Sequence, residues 1–194
     1  MNTRTCERCG EHLRARHSHR ARFCSTRCRV AAHREKHAIP AELRARERWV
    51  RRSSSKVPLR SDTGRPASST DPATWTTYAA AAASPHGSGL GFVLAHGDGI
   101  VVLDLDHCLV DGEPKPWARE ILERCPATYV EVSVSGEGLH LWGRGRIGRG
   151  RRIRWPDGAH IEIYSAERFI VLGERYRHAP LHLADLSDLV AELA

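Results

Sequence analysis

The sequence predicts an α+β fold in which a mainly antiparallel sheet, with helices packed on one face, follows a small cysteine-rich module. Two observations predict the sheet: apolar residues recur with period two from residue 90 onwards, and Gly-containing turns separate these segments. The third observation is a set of four cysteines in two close pairs near the N-terminus. We therefore divide the chain into a module at 1–37, a basic helix and linker at 38–55 and a main domain at 56–194.

Local patterns place the individual elements. Prolines suited to a first helical turn, followed by helical composition, predict helices at 40–52, 72–83 and 116–125, and an amphipathic pattern predicts one at 183–194. A Ser/Pro/Gly-rich stretch at 53–72 and an Arg/Gly-rich stretch at 144–154 predict irregular loops. Alternation predicts strands at 90–96, 100–106, 127–135, 139–143, 159–165 and 168–173.

Positive charge is concentrated in the first third of the chain. Residues 1–60 contain 17 Lys and Arg against 5 Asp and Glu, whereas residues 61–194 contain 13 against 18. A basic segment of this kind favours a polyanionic partner, nucleic acid first, although a solvated face is the plainer interpretation. No apolar run is long enough to span a membrane and no signal peptide is evident, so we expect a cytosolic protein.

The cysteine pairs have the spacing C-x2-C-x14-C-x3-C. Four thiolates so arranged can form a closed tetrahedral zinc site, and a turn followed by a helix carrying the second pair resembles a treble-clef or ribbon-type zinc finger. The alternatives are free cysteines or disulfides, and a cytosolic setting disfavours disulfides. The predicted structural Zn²⁺ ligands are Cys6, Cys9, Cys24 and Cys28.

Acidic residues occupy alternate positions of the central predicted strand, 100-IVVLDLD-106. Alternation places Asp104 and Asp106 on the face opposite the apolar residues, and the same reasoning places Glu162 and His140 there from other strands. Crowded carboxylates raise one another's pKa unless cations neutralise them, and hard oxygen ligands suit Mg²⁺ or Mn²⁺. Three unrelated surface acids are the alternative.

A Gly-rich turn precedes His140 in 133-SVSGEGLH-140. Such a turn can leave backbone amides open to an anion, with serine hydroxyls as further donors. The combination of acid pair, turn and third acid indicates metal-dependent chemistry on a nucleoside triphosphate.

These motifs resemble those of the archaeo-eukaryotic primase superfamily, specifically the phage and plasmid primase-polymerase domain. The resemblance is carried by 104-DLD-106, 133-SVSGEGLH-140 and 161-IEIY-164, and it spans about residues 56–175. It implies an RRM-like sheet and a DNA-dependent nucleotidyltransferase that joins nucleoside triphosphates on a single-stranded DNA template. Any replicative helicase would be a separate protein, and the N-terminal position of the zinc module departs from several relatives.

The resemblance also implies roles for matching residues. Asp104, Asp106 and Glu162 would bind the catalytic Mg²⁺ or Mn²⁺, with His140 as a fourth catalytic residue. The nucleotide would contact Ser133, Ser135, Gly136, Gly138, His140 and Lys56. The template strand would follow the arginine-rich segment, through Arg144, Arg146, Arg149, Arg151, Arg152 and Arg154.

Two other functions remain compatible with the sequence. One is a non-catalytic module that binds single-stranded DNA at an origin, with the cysteine module as a docking surface. The other is a nuclease that uses the same acids, although a nuclease has little use for a triphosphate-binding turn.

Overall fold

The structure is a computed structural model that describes residues 4–155 and 158–194. The chain forms two compact units, Met1–Ala38 and Ile39–Ala194. Neither contains, within its described residues, a helix long and apolar enough to cross a membrane.

In its described part, residues 4–38, the first unit contains one helix, α1 (Thr26–Lys36). This helix begins where the Ser25 side chain accepts a hydrogen bond from the Cys28 backbone amide. A bridge between Thr5 and His12 closes the preceding turn. Among the described residues of this unit Cys6 alone is buried, so a hydrophobic core does not hold the unit together.

The second unit is built on two mainly antiparallel sheets. The larger sheet has the strand order β12-β7-β8-β4-β10-β9, and a short strand β13 lies parallel to β8. Its strands are β4 (Ile100–Asp106), β7 (Tyr129–Val132), β8 (Leu139–Arg144), β9 (Arg151–Arg154), β10 (His160–Tyr164), β12 (Glu174–Arg175) and β13 (Ala184–Asp185). The smaller sheet has the order β11-β3-β1-β2 and consists of β1 (Trp49–Arg52), β2 (Pro58–Leu59), β3 (Gly89–Leu94) and β11 (Arg168–Val171).

Short elements connect these strands. A hairpin of β5 (Leu109–Val110) and β6 (Glu113–Pro114) follows β4. The helices are α2 (Ala41–Arg44), a 3-10 turn (Pro72–Thr74), α3 (Tyr78–Ala83), α4 (Pro116–Arg124) and α5 (Ser187–Leu193).

One face of the larger sheet carries the main core. Leu103, Leu141 and Ile161 are fully buried there against α4 and α5, which contribute Ile121 and Leu189. The predicted α+β organisation around mainly antiparallel strands is confirmed. Only α4 and α5 cover this face, however, because α2 and α3 contribute Leu43 and Ala81 to a second core.

The opposite face is only partly exposed, which the sequence did not predict. Val102 and Trp142 of this face pack against Trp49 and Phe92 of the smaller sheet, with edge-to-face contacts between Phe92 and both tryptophans. The prediction of a single sheet is therefore wrong. A second sheet covers one end of the face that carries the acids and leaves the other end accessible.

Two element predictions are also wrong. The predicted helix 40–52 ends at Arg44, because Trp49–Arg52 pairs with β3 instead. The predicted loop 144–154 contains β9, which pairs with β10. In both cases long-range strand pairing overrides local composition.

Candidate functional site

The register of the larger sheet aligns five polar residues on adjacent strands. Glu131 of β7 lies opposite His140 of β8, which lies opposite Asp104 of β4. Asp104 in turn pairs with Glu162 of β10, and Glu162 with Arg152 of β9. Directly opposed residues point to the same side of the sheet, so these side chains form a continuous row. The structure thus brings Asp104, Glu162 and His140 together as the sequence predicted.

Asp106 begins a second, shorter row two positions further along β4. It lies opposite His160, which lies opposite Arg154. His160 Nδ1 is 3.0 Å from Asp106 Oδ2. Asp106, His160 and Glu162 each offer one ligand atom, and these three atoms lie within 4.8 Å of one another. This spacing is suited to a shared metal ion.

Of the three predicted acids, Asp104 has the fewest hydrogen-bond donors to compensate its burial. Among the described residues its Oδ1 finds no hydrogen-bond donor, because His140 Nε2 stands 3.5 Å away, at the limit of such a bond. Burial raises the pKa of Asp104; His140 opposes this increase, and Asp106 and Glu162 add to it. A half-buried carboxylate whose buried oxygen has no hydrogen-bond partner is a group that a bound cation would stabilise.

Glu162, by contrast, is surrounded by donors. Arg152 Nε lies 2.9 Å from Oε1, and Arg168 Nη2 lies 3.1 Å from Oε2. The Tyr164 hydroxyl also donates to Oε2, at 2.7 Å. A metal ion at Glu162 would therefore compete with two guanidinium groups, of which that of Arg152 is largely solvent-exposed and that of Arg168 is half-buried.

His140 is buried and contacts carboxylates on two sides. Its Nδ1 lies 2.8 Å from Glu131 Oε1, and its Nε2 faces Asp104. Burial lowers the pKa of His140, but the hydrogen bond and charge of Glu131, with Asp104 and Asp106, outweigh burial and raise it. The imidazole therefore links Glu131 and Asp104 at the base of the site.

The turn between β7 and β8 is ordered by its serines. Ser133 Oγ accepts from the Gly138 amide at 3.2 Å and contacts Ser135 Oγ at 2.9 Å, while the Ser135 hydroxyl accepts from the Glu137 amide at 3.4 Å. Gly136, with φ +82°, supplies the left-handed backbone that the turn requires. The prediction of open amides is therefore wrong for Gly136, Glu137 and Gly138, whose N–H groups are engaged within the turn.

A cleft of about 450 Å³ lies between the two sheets in front of this row. Asp104, Ser133 and His140 line it from the larger sheet. Lys56 and Arg168 line it from the side of the smaller sheet, so the structure places the predicted Lys56 in the same cleft as Asp104 and His140. The cleft combines the Asp104 carboxylate with the cationic side chains of Lys56 and Arg168, as an anionic ligand carrying a metal ion would need.

The predicted nucleic-acid-binding arginines do not share one environment. All six are exposed. Arg152 is held by Glu162 and Arg144 by Glu42, at 3.0 Å. Strand alternation places Arg152 and Arg154 on the face of the acids and Arg151 on the other face.

The four cysteines meet in the first unit. Ligand sulfurs of Cys6, Cys9, Cys24 and Cys28 all lie within 4.8 Å of one another. The three separations among Cys9, Cys24 and Cys28 are 3.5, 3.6 and 3.8 Å. Tetrahedral Zn–S bonds of about 2.3 Å would place sulfurs about 3.8 Å apart. The donor set and its dimensions therefore fit a zinc ion.

Hydrogen bonds within the cluster separate the pKa values of its thiols. Burial opposes ionisation of Cys6, but backbone hydrogen bonds from Cys24, Cys9 and Arg8 prevail and lower its pKa to about 6. Contact with the Cys28 thiol, followed by Cys9, raises the pKa of Cys24 to about 12. Four close thiols cannot all ionise without a cation, and this requirement agrees with a metal site.

Sequence reasoning missed four members of the site. Alternation along 129-YVEV-132 and 160-HIEIY-164 placed Glu131 and Tyr164 on the right strands but gave no reason to select them. His160 sits two residues before Glu162 and was detectable as a metal ligand by spacing. No local sequence pattern indicated Arg168, because it lies in the smaller sheet and contacts Glu162 of the larger sheet.

Comparison with known proteins agrees with this geometry. The Prim-Pol family, described as bifunctional DNA primase/polymerase, N-terminal, matches residues 29–179. The DNA primase-polymerase of Nitratiruptor phage NrS-1 is 34% identical over 131 residues, which cover 64% of this chain and 18% of that protein. The chain thus corresponds to a small part of this phage relative. Because the family match spans most of the chain and includes Asp104, Asp106, His140 and Glu162, the chain belongs to the Prim-Pol family of bifunctional DNA primase/polymerases.

Proposed function

We propose that this chain is a metal-dependent nucleotidyltransferase that joins nucleoside triphosphates on a single-stranded DNA template, as a primase, a DNA polymerase or both. One observation carries the proposal: Asp104 lies directly between Glu162 and His140 in the sheet. Asp104 and His140 line a cleft that Lys56 and Arg168 also line. Family membership and the NrS-1 relative support the same reaction class.

Asp104, Asp106 and Glu162 would hold Mg²⁺ or Mn²⁺. The unsatisfied oxygen of Asp104 and its raised pKa fit this role, and His160 is placed to join the ligand set. When bound, such ions supply Lewis acidity that favours ionisation of an attacking hydroxyl and neutralises charge on the phosphates.

The chain's own groups would bind and orient the nucleotide. His140, Lys56 and Arg168 are cationic or donor side chains facing the cleft, and the triphosphate would lie along them. The Ser133 and Ser135 hydroxyls, with Gly136 and Gly138 shaping their turn, would donate further hydrogen bonds to the phosphates. In this arrangement the phosphates face the cations while the reacting end faces the carboxylates.

The strand order supports an RRM-like description of the catalytic sheet. Helix α4 connects β4 to β7, and β8 lies between these two strands and antiparallel to both. With β10 on the other side of β4, this is a split β-α-β arrangement. It brings the acids of β4 and β10 beside the histidine of β8.

The arginine-rich segment and the first unit would bind the template backbone. Arg146, Arg149, Arg151 and Arg154 are exposed, and the remaining two predicted contacts, Arg144 and Arg152, would first have to leave Glu42 and Glu162. The first unit would be a structural zinc finger, since its sulfurs fit the ion and it has little core of its own.

A template-directed incorporation assay tests the function. The purified chain is incubated with single-stranded DNA, with and without an annealed primer, and with ribonucleotides or deoxyribonucleotides plus Mg²⁺ or Mn²⁺. We expect incorporation that requires template, nucleotide and metal. DNA binding without incorporation under all conditions would indicate a binding module instead, and DNA degradation without nucleotides would indicate a nuclease.

A further inference from the structure

Glu131 is a buried carboxylate that lies outside the predicted site. It has 0% exposure in the middle of β7, two residues before Ser133. Burying a carboxylate carries a large free-energy cost unless several donors compensate it. The presence of Glu131 in a sheet interior therefore requires hydrogen-bond partners for its carboxyl oxygens.

Three donors surround Glu131. Its Oε2 accepts hydrogen bonds from the Tyr129 hydroxyl and from the Gly173 backbone amide, each at 3.2 Å. Burial raises the pKa of Tyr129, which keeps its hydroxyl protonated and able to donate. The other oxygen, Oε1, is left for His140 Nδ1, 2.8 Å away.

This arrangement determines where the His140 ring carries its proton. Because Oε2 already accepts from Tyr129 and Gly173, Oε1 is the acceptor that this arrangement offers to an N–H at Nδ1. The ring is buried and cannot rotate without losing this bond, so Nε2 is turned towards Asp104 and the cleft. Carboxylates orient imidazoles in this way in metal sites and in hydrolase triads.

We propose that Glu131 is a positioning residue that fixes the proton and the orientation of His140, so that Nε2 faces the phosphates of a nucleotide bound in the cleft. The identity of the ligand rests on the proposed function, whereas the hydrogen bond to Nδ1 does not. Glu131 does not touch the nucleotide itself and acts through His140.

The substitution Glu131→Gln has a specific expected consequence. The amide oxygen should remain where the Tyr129 hydroxyl and the Gly173 N–H donate, because an NH₂ group there would face a backbone donor. The NH₂ group would then face His140 Nδ1, which must lose its proton to accept. The side chain keeps its size, so packing is little changed.

Nitrogen-15 NMR of the imidazole groups in the full chain tests this directly, because protonated and unprotonated ring nitrogens have different chemical shifts. We expect a protonated His140 Nδ1 in the wild type, an unprotonated Nδ1 in Glu131→Gln, and a protonated Nδ1 in the control Tyr129→Phe, which removes one hydrogen bond but keeps the carboxylate. An unprotonated Nδ1 in the wild type, or a protonated one in Glu131→Gln, would overturn the proposal. The wild-type spectrum alone suffices if the variant does not fold.

Nucleotide affinity separates this proposal from the proposed function. Binding of ATP and of dATP, each with Mg²⁺, is measured calorimetrically for the wild type, Glu131→Gln, His140→Gln and the double variant. We expect each single substitution to weaken binding about tenfold and the double variant to be no weaker than His140→Gln, because both act through one imidazole. Fully additive losses would overturn the positioning role. If the wild type binds neither nucleotide, the proposed function fails while the NMR result still decides the role of Glu131.

Discussion

Asp104 occupies a central strand between two other strands, where an ionised carboxylate is costly. Its neighbours Asp106 and Glu162 increase that cost, and His140 relieves part of it. The presence of Asp104 in this strand is therefore explained by the ligand that it would bind rather than by a contribution to the stability of the metal-free protein. This is common among residues of functional sites.

Replacing Asp104 by Asn should stabilise the metal-free protein. A carboxyl with a folded-state pKa above its unfolded value contributes stability that is present below the unfolded pKa, about 3.9, and is lost as pH rises through the folded pKa. At neutral pH the ionised group is thus a net cost, which Asn removes. The melting temperature of Asp104→Asn in the presence of a chelator should exceed that of the wild type at pH 7.

Asp185 provides the control, because its pKa is shifted in the opposite direction from that of Asp104. Hydrogen bonds from the Ser187 hydroxyl and amide lower its pKa, so its ionised form stabilises the fold above the unfolded pKa. Asp185→Asn should leave the melting temperature unchanged or decrease it slightly. A melting temperature of Asp104→Asn at or below that of Asp185→Asn would show that Asp104 is already compensated without metal.

At the scale of elements, the close contact of β8 with the segment leading into α5 depends on a glycine. A Cβ at Gly143 would overlap the fully buried Leu186 side chain and lie 2.8 Å from the Ala184 carbonyl oxygen. The β13 strand could then no longer pair with β8 at its present distance. This pairing anchors α5 on the main core.

Gly143→Ala should therefore destabilise the protein by about 1–3 kcal/mol, the usual cost of overpacking a core. Urea denaturation measures the change in the free energy of unfolding. Gly148→Ala is the matched control, because a Cβ there meets no described atom within 4 Å. Equal stabilities of the two variants would mean that α5 adjusts without cost.

The arginine-rich segment makes a second prediction about an element. If Arg149, Arg151 and Arg154 contact DNA phosphates, replacing all three by Ala should weaken binding to single-stranded DNA and reduce the slope of log K against log salt by about 2, since each contact contributes about 0.7. Fluorescence anisotropy over a series of salt concentrations provides the slope.

Arg124→Ala is the control for this measurement. Arg124 lies on α4, over the opposite face of the sheet, and pairs with Glu192. Its replacement should leave the slope unchanged. An unchanged slope in the triple variant would place the template elsewhere on the molecule.

At the scale of the whole molecule, the first unit should owe its fold to metal. Elemental analysis should find about one zinc per chain, and titration with a thiol reagent should show four cysteines that become reactive only after chelation. Cys108 should stay unreactive in the folded protein, because it is fully buried and burial raises its pKa to about 12. A folded, active sample with almost no zinc would contradict the zinc assignment.

The sequence predicted those features that depend on local periodicity. Strand β4 was placed with its observed bounds, because alternating apolar residues are flanked by Gly99 and by His107, which has φ +49°. Alternation also assigned Asp104 and Glu162 to one face. The smaller sheet was missed, because Trp49–Arg52 has helical neighbours in sequence and becomes a strand only by pairing with β3.

The site residues that were not predicted from the sequence were missed for the same reason. Arg168 reaches Glu162 from the other sheet, and Glu131 is meaningful only once β7 and β8 are in register. Sequence periodicity indicates which face a residue occupies, but pairing between distant strands decides which residues meet there.

The central claim is that the acids of β4 serve metal-dependent nucleotide transfer, and one measurement tests it most directly. Template-directed nucleotide incorporation is compared among the wild type, the double variant Asp104→Asn with Asp106→Asn, and Asp111→Asn, an exposed aspartate in the following turn, as control. We predict that the double variant loses incorporation while its affinity for single-stranded DNA stays close to that of the wild type, and that the control keeps both. Incorporation by the double variant at the wild-type rate would contradict the claim.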